Sequence, residues 1–262
     1  MYKHHEESLK NLVDYFKIKD DVTAIVFGGS VAKGMERPDS DLDAMVILTP
    51  QGYEEKKAEN RLCEIIDGRC TYEGGYFDIK YMTKEYLKQA AQRANEPTRN
   101  SFICARVVYS TDPEIEEIVA EIPVFQEQEQ AEKMKSFYSC MKLSYDYSWH
   151  VCKPDGYMRL KAAGDIIYSC YRMILQENKV LFPCNRRLEE TVQAQENKPD
   201  GFVELCRKFE EDLSNENCDK VVNAYLNWSK YPHEKDYSKL FSQYVSDFEQ
   251  WWIEPRPLIY EW

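Results

Sequence analysis

No stretch of this chain is more constrained than Gly28 to Leu48. There Gly28-Gly29-Ser30-Val31-Ala32-Lys33-Gly34 leads through a polar bend to Asp39-Ser40-Asp41-Leu42-Asp43 and then to the apolar run Ala44-Met45-Val46-Ile47-Leu48. The preceding residues, Val22-Thr23-Ala24-Ile25-Val26-Phe27, are β-branched and apolar over a strand's length. The order is therefore strand, glycine turn, short helix, loop, second strand. Strand side chains alternate faces, so Asp41 and Asp43 project to one side and Leu42 to the other. The unbroken apolar run after Asp43 predicts a strand covered on both faces. Two carboxylates fixed this close repel each other unless a cation lies between them. Hard oxygen ligands of this kind suit Mg²⁺, which usually takes one or two carboxylates together with substrate phosphates.

The glycines fit the same chemistry. Gly28 and Gly29 let the backbone bend tightly and a ligand approach closely. The short helix that follows presents free N–H groups toward a phosphate, and Ser30 adds a hydroxyl. Lys33, beside the turn, is a further candidate for phosphate contact. Other phosphate loops are excluded. Gly34 is followed by Met35 and Glu36 rather than the Lys-Ser/Thr of a P-loop, and no Gly-x-Gly-x-x-Gly is present.

Gly29-Ser30, ten further residues, then Asp41-Leu42-Asp43 resembles the signature of the DNA polymerase β-like nucleotidyltransferase superfamily. Within it the pattern is similar to the enzymes that adenylylate aminoglycoside and lincosamide antibiotics. The signature spans about the first third of the chain. In that family a later strand supplies a third carboxylate. Tyr76-Phe77-Asp78-Ile79-Lys80-Tyr81-Met82 offers one, with Phe77, Ile79 and Tyr81 on one face and Asp78 on the other. The resemblance implies Asp41, Asp43 and Asp78 as catalytic residues and metal ligands, and Gly28, Gly29, Ser30 and Lys33 as the nucleotide-binding set. It implies two Mg²⁺ ions and ATP as donor, with AMP passing to a hydroxyl of a small molecule and pyrophosphate leaving. Two alternatives stay open: transfer onto a protein or RNA, and a non-catalytic nucleotide-binding module.

The net charge of −12 lacks the basic footprint of a nucleic-acid binder and disfavours an anionic membrane surface. It suits a cationic small acceptor better. Nine cysteines without a CxxC pair read as free thiols, many of them core residues. No apolar run approaches spanning length, and the polar opening residues do not resemble a signal peptide. A cytoplasmic protein, monomeric or homodimeric, is expected.

The fold class implied is α+β: an N-terminal nucleotidyltransferase domain over 1–123, with a mixed sheet flanked by helices, and an α-helical bundle over 124–262 on the acceptor side of the cleft. In the first part, Leu9, Leu12, Val13 and Phe16 predict an amphipathic N-terminal helix, with His4 and His5 solvated. A helix is expected from Tyr53 to Ile66, another capped by Thr83 and running to Arg93, a strand over Cys104–Tyr109 and a helix after Asp112-Pro113. Glu85 and Glu96 are acids with no assigned place. In the second part no strand is expected. Helical patterns run over Gln126–His150, Gly156–Asn178, Arg186–Gln195, Gly201–Leu213, Cys218–Lys230 and Tyr237–Trp252. The second of these carries Leu160, Ala163, Ile166, Ile167, Cys170, Tyr171 and Ile174 as an inward stripe. Arg159, Lys161 and Arg172 are candidate triphosphate clamps, although charges on an amphipathic helix are more often its solvated face. Asp146, Asp165, Glu189 and Glu190 are candidate acceptor groups. Tyr145, Tyr147, Trp149, Tyr168 and Tyr171 read as packing.

Overall fold

A computed structural model describes residues 1–253 and 257–262. The chain divides into two compact units, Met1–Val124 and Phe125–Trp262. The first is built on β1 (Val22–Phe27) and β2 (Leu42–Leu48), joined by the glycine turn and a single helical turn, α2 (Gly29–Ala32). β1 and β2 pair antiparallel, and β2 pairs in parallel with β4 (Tyr76–Thr83). β3 (Cys63–Asp67) and β5 (Arg106–Ser110) close the edges, giving the order β3-β4-β2-β1-β5.

Both faces of this mixed sheet are covered. On one, Ala44, Val46 and Leu48 of β2 and Phe77, Ile79 and Tyr81 of β4 pack with Leu12 and Phe16 of α1 (Lys3–Phe16). On the other, Met45 and Ile47 meet Leu87 and Ala90 of α4 (Lys84–Arg93) and Ile115 and Val119 of α6 (Glu114–Glu121). Alternation along β2 thus sends Asp43 to the same face as Met45 and Ile47. Thr83 caps α4 by accepting the Tyr86 N–H, as its position predicts.

The expected helix from Tyr53 to Ile66 is wrong over its second half. α3 spans Pro50–Ala58 and stops where Asn60 turns left-handed, φ 55°. Asparagine is one of the few residues that takes this conformation readily, and it ends helices by doing so. The chain then runs as the edge strand β3, where Ile65 is 65% exposed. Glu64 on this edge binds Lys56 and accepts from the Tyr81 hydroxyl, and charge of this kind blunts strand addition. A short helix, α5 (Glu96–Ser101), escaped the sequence reading. Its Arg99 is fully buried and donates to the carbonyls of Ala91, Ala94 and Ile122.

His5 also departs from expectation. It is fully buried against His4 and Tyr72, with neither ring nitrogen hydrogen-bonded.

The described residues of the second unit form helices joined by loops, with no strand. α7 (Glu127–Leu143) runs on through π-helical turns (Ser144–Val151). α8 (Gly156–Glu177) packs along α7 and is flanked by α9 (Leu188–Gln193), α10 (Phe202–Glu211) and α11 (Asn215–Trp228), while α12 (Tyr237–Tyr244) packs against α7. The helix expected to Trp252 is α12 followed by a π-helical turn and a 3-10 turn. Six of the seven stripe residues on α8 are buried in the core, but Leu160 is exposed. Trp149 and Tyr171 are core residues, whereas Tyr147 is half exposed. No described helix is long and apolar enough to cross a membrane. All nine cysteines are free thiols.

Candidate active site

The register of the parallel pair builds the site. Asp43 on β2 lies directly opposite Asp78 on β4. Directly opposed residues point to the same face of a sheet, so the two carboxylates converge. Asp41, just before β2, adds a third. The carboxylate oxygens of Asp41, Asp43 and Asp78 all lie within 4.8 Å of one another, each residue half-buried. Burial raises the Asp43 carboxyl to about 6, and the charges of Asp41 and Asp78 push it the same way. Lys80 and the Ser30 backbone N–H oppose that shift.

The glycine turn seals one side of this cluster. Gly29 has φ +71°, and a Cβ placed on it would stand 1.8 Å from Asp43 Oδ2. Its backbone rests where any side chain would displace the carboxylate. Gly28 is less constrained, since its Cβ would crowd the terminal methyl of Met45 at 2.8 Å and otherwise meet the Ser101 carbonyl at an ordinary 3.6 Å. The Gly28 N–H donates to the Asp43 carbonyl at 3.0 Å, tying the turn to β2. Ser30 follows on α2, and its hydroxyl has no partner among the described residues. Lys33 reaches across to α5, where its ammonium donates to the carbonyl and Oδ1 of Asn100, both at 3.0 Å.

Two neighbours of the cluster carried no sequence assignment. The Tyr76 phenol hydrogen-bonds Asp41, whose charge raises the phenol's pKa. Tyr76 stands two residues before Asp78, so strand alternation alone places it on the same face. The Cys63 thiol lies 3.7 Å from Asp78 Oδ1. Finding it required the strand that the sequence disguised as helix. Neither Glu85, which accepts from Gln89, nor the buried Glu96 joins the carboxylate cluster.

The cationic candidates of the second unit are committed to its own structure. Arg172 is fully buried between the rings of Phe137 and Phe182, 4.5 and 4.0 Å from their centroids, and donates to Tyr168 Oη and the Trp262 carbonyl. Arg159 lies 4.1 Å over the Trp149 ring and donates to Leu213 and Pro154 carbonyls. Lys161 pairs with Asp165 and Tyr260. Asp146 binds Lys142 and Tyr237, Glu189 binds Arg207, and Glu190 lies beside Arg187.

Residues 9–101 match the family model described as a nucleotidyltransferase domain. That span runs from α1 to α5 and contains the glycine turn and all three carboxylates. No curated protein matches the chain in sequence. Among solved structures, the chain is similar to a nucleotidyltransferase-like protein from Exiguobacterium sibiricum 255-15, with TM-score 0.48 and 11% identity over 97% of this chain and 81% of that one. It is also similar to spectinomycin adenyltransferase AAD(9) from Enterococcus faecialis, with TM-score 0.34 and 11% identity over 92% and 96%.

Proposed function

We infer, from a chain whose residues 9–101 form a nucleotidyltransferase domain, that this protein transfers AMP from ATP to a hydroxyl of a small molecule with the help of Mg²⁺. As a nucleotidyltransferase it moves a nucleoside monophosphate from a triphosphate and releases pyrophosphate. The observation that carries the finer reading is the meeting of Asp41, Asp43 and Asp78 within 4.8 Å, against a glycine turn that has no side chain to block them.

The donor set fits Mg²⁺. It is all carboxylate oxygen, half-buried, and its charges repel strongly enough to help hold a proton on Asp43 up to about pH 6. Asp41, Asp43 and Asp78 would be the ligands. Bound there, Mg²⁺ would neutralise phosphate charge and make the acceptor hydroxyl more acidic. The protein's own part is positioning. Ser30 offers its hydroxyl to the triphosphate tail, and the Lys33 charge, fixed by Asn100, lies one residue past α2. Tyr76 restrains Asp41, and Gly29 restrains Asp43 from the other side. Fixed charges of this kind account for most of the acceleration in phosphoryl-type transfers. The charge of −12 favours cationic acceptors such as aminoglycosides.

The test is incubation with α-labelled ATP, Mg²⁺ and a panel of aminoglycosides and lincosamides. Label should appear on a small-molecule product with wild-type protein and not with Asp43→Asn. Label on a protein or RNA band instead would overturn the acceptor class. No ATP turnover with any acceptor would overturn the activity.

A further inference from the structure

We propose that the helical unit carries a small-molecule site of its own, a pocket between α8, α9 and α10 that takes an organic cation with an apolar body. The cavity measures about 390 Å³. Ile167 and Leu188 give it apolar walls, Gly164 and Tyr171 line it from α8, and Glu189 and Glu210 line it from α9 and α10.

Three observations point to an occupant. First, Gly164 sits inside α8 without a left-handed backbone, and a Cβ there would meet nothing within 4 Å. Glycine weakens a helix relative to alanine, so its presence here brings no conformational gain and leaves space open. Second, Tyr171 is 3% exposed and its hydroxyl has no oxygen or nitrogen hydrogen-bond partner. The ionisable groups around it are the Cys206 thiol, a weak partner, and the carboxylates of Glu189 and Glu210. A buried hydroxyl left this way costs free energy that a ligand's polar atom would recover. Third, the charges do not balance. Arg207 pairs with Glu189 at 2.7 Å, while Glu210, exposed on α10, feels the same guanidinium without an ion pair of its own among the described residues. Two acids share one guanidinium, so this rim of the pocket keeps net negative charge.

An ammonium group would supply the balancing charge to Glu210 and could reach the Tyr171 hydroxyl, with the hydrocarbon part over Gly164, Ile167 and Leu188. A small cation without an apolar body would leave the walls wet. A neutral apolar molecule would leave Glu210 unpaired.

The test is calorimetric titration of the full chain with 2-phenylethylamine and its neutral counterpart 2-phenylethanol. The amine should bind about tenfold or more tightly than the alcohol. Glu210→Gln should bring the two affinities to about the same value. Gly164→Val, which fills open space, should weaken the amine by about tenfold while the protein melts no lower. Equal binding of amine and alcohol to wild type, no binding of either at about 10 mM, or undiminished binding to the valine variant overturns the proposal. Binding is read directly, without ATP, so the outcome does not depend on the transferase reading.

Discussion

Gly29 and Asp43 occupy one another's space: the carboxylate of Asp43 stands where a β-carbon on Gly29 would lie, 1.8 Å from Oδ2. The glycine is therefore a part of the acidic cluster and not only a flexible joint. Gly29→Ala should push Asp43 off the cluster and strain a backbone at φ +71°. Misplacement of a reacting group by about an ångström costs on the order of a hundredfold in rate. Turnover should fall at least that far while the protein still folds. Gly28→Ala, which crowds only the mobile end of Met45, should lose much less. Steady-state rates of the two alanine variants decide this, and equal losses would falsify the steric account.

The same crowding has a thermodynamic signature. Folded Asp43 keeps its proton to about pH 6, against 3.8 for the ordinary carboxyl. Between those values the folded state binds more protons than the unfolded chain, so stability falls as pH rises through the window. The cost is fully present above about pH 6. At about 1.4 kcal/mol per pH unit, discounted because the group is half-buried, it amounts to about 1–2 kcal/mol. Without divalent metal, Asp43→Asn should therefore melt about 2–6 °C higher than wild type near neutral pH. The gain should disappear by about pH 4, where both states hold the proton. Thermal melts across that range check the sign. Activity should move oppositely, as it does where a site stores repulsion for its chemistry.

How much of this was legible beforehand follows from where the information is local. β1, the glycine turn and β2 are adjacent in sequence, and their apolar alternation and turn residues read directly as structure. Asp78 could be assigned to a strand face, but its meeting with Asp43 depends on a parallel register between strands 35 residues apart, which no local pattern encodes. β3 was hidden because charged residues and Ala58 extend the look of a helix past Asn60, whose left-handed turn ends it. Arg172 misled for a different reason. An arginine on an amphipathic helix normally marks the wet face, yet here two aromatic rings and two oxygen acceptors make burial tolerable.

Relief of the carboxylate repulsion should be measurable as metal-linked stability. A divalent cation that binds the folded cluster and not the unfolded chain stabilises by RT ln(1 + [M]/Kd), about 2.7 kcal/mol at a hundred times Kd. Mg²⁺ should raise the melting temperature of wild type near neutral pH and lower its unfolding midpoint when chelated away. Asp41→Asn and Asp78→Asn should each lose most of that increment, and Cys63→Ser should keep it, since its sulfur lies outside the three-carboxylate cluster. An unchanged Mg²⁺ increment in both asparagine variants would remove the metal assignment.

Arg172 gives the last test, because its two possible roles predict different measurements. As part of the helical core it fills the space between Phe137 and Phe182 and satisfies the Tyr168 hydroxyl and the Trp262 carbonyl. Removing so large a buried side chain costs about 3 kcal/mol or more. Lysine cannot reproduce the planar guanidinium stacked on two rings. Arg172→Ala should therefore destabilise the helical unit strongly, and Arg172→Lys by a smaller but clear amount. Hydrogen exchange should localise the loss to α7 and α8 while the β-sheet stays protected. In the lysine variant, assayed well below its melting temperature, KM for ATP should stay within about twofold of wild type. A triphosphate clamp would give the reverse pattern, a raised KM on a protein of unchanged stability, because the lost interaction would exist only with nucleotide bound.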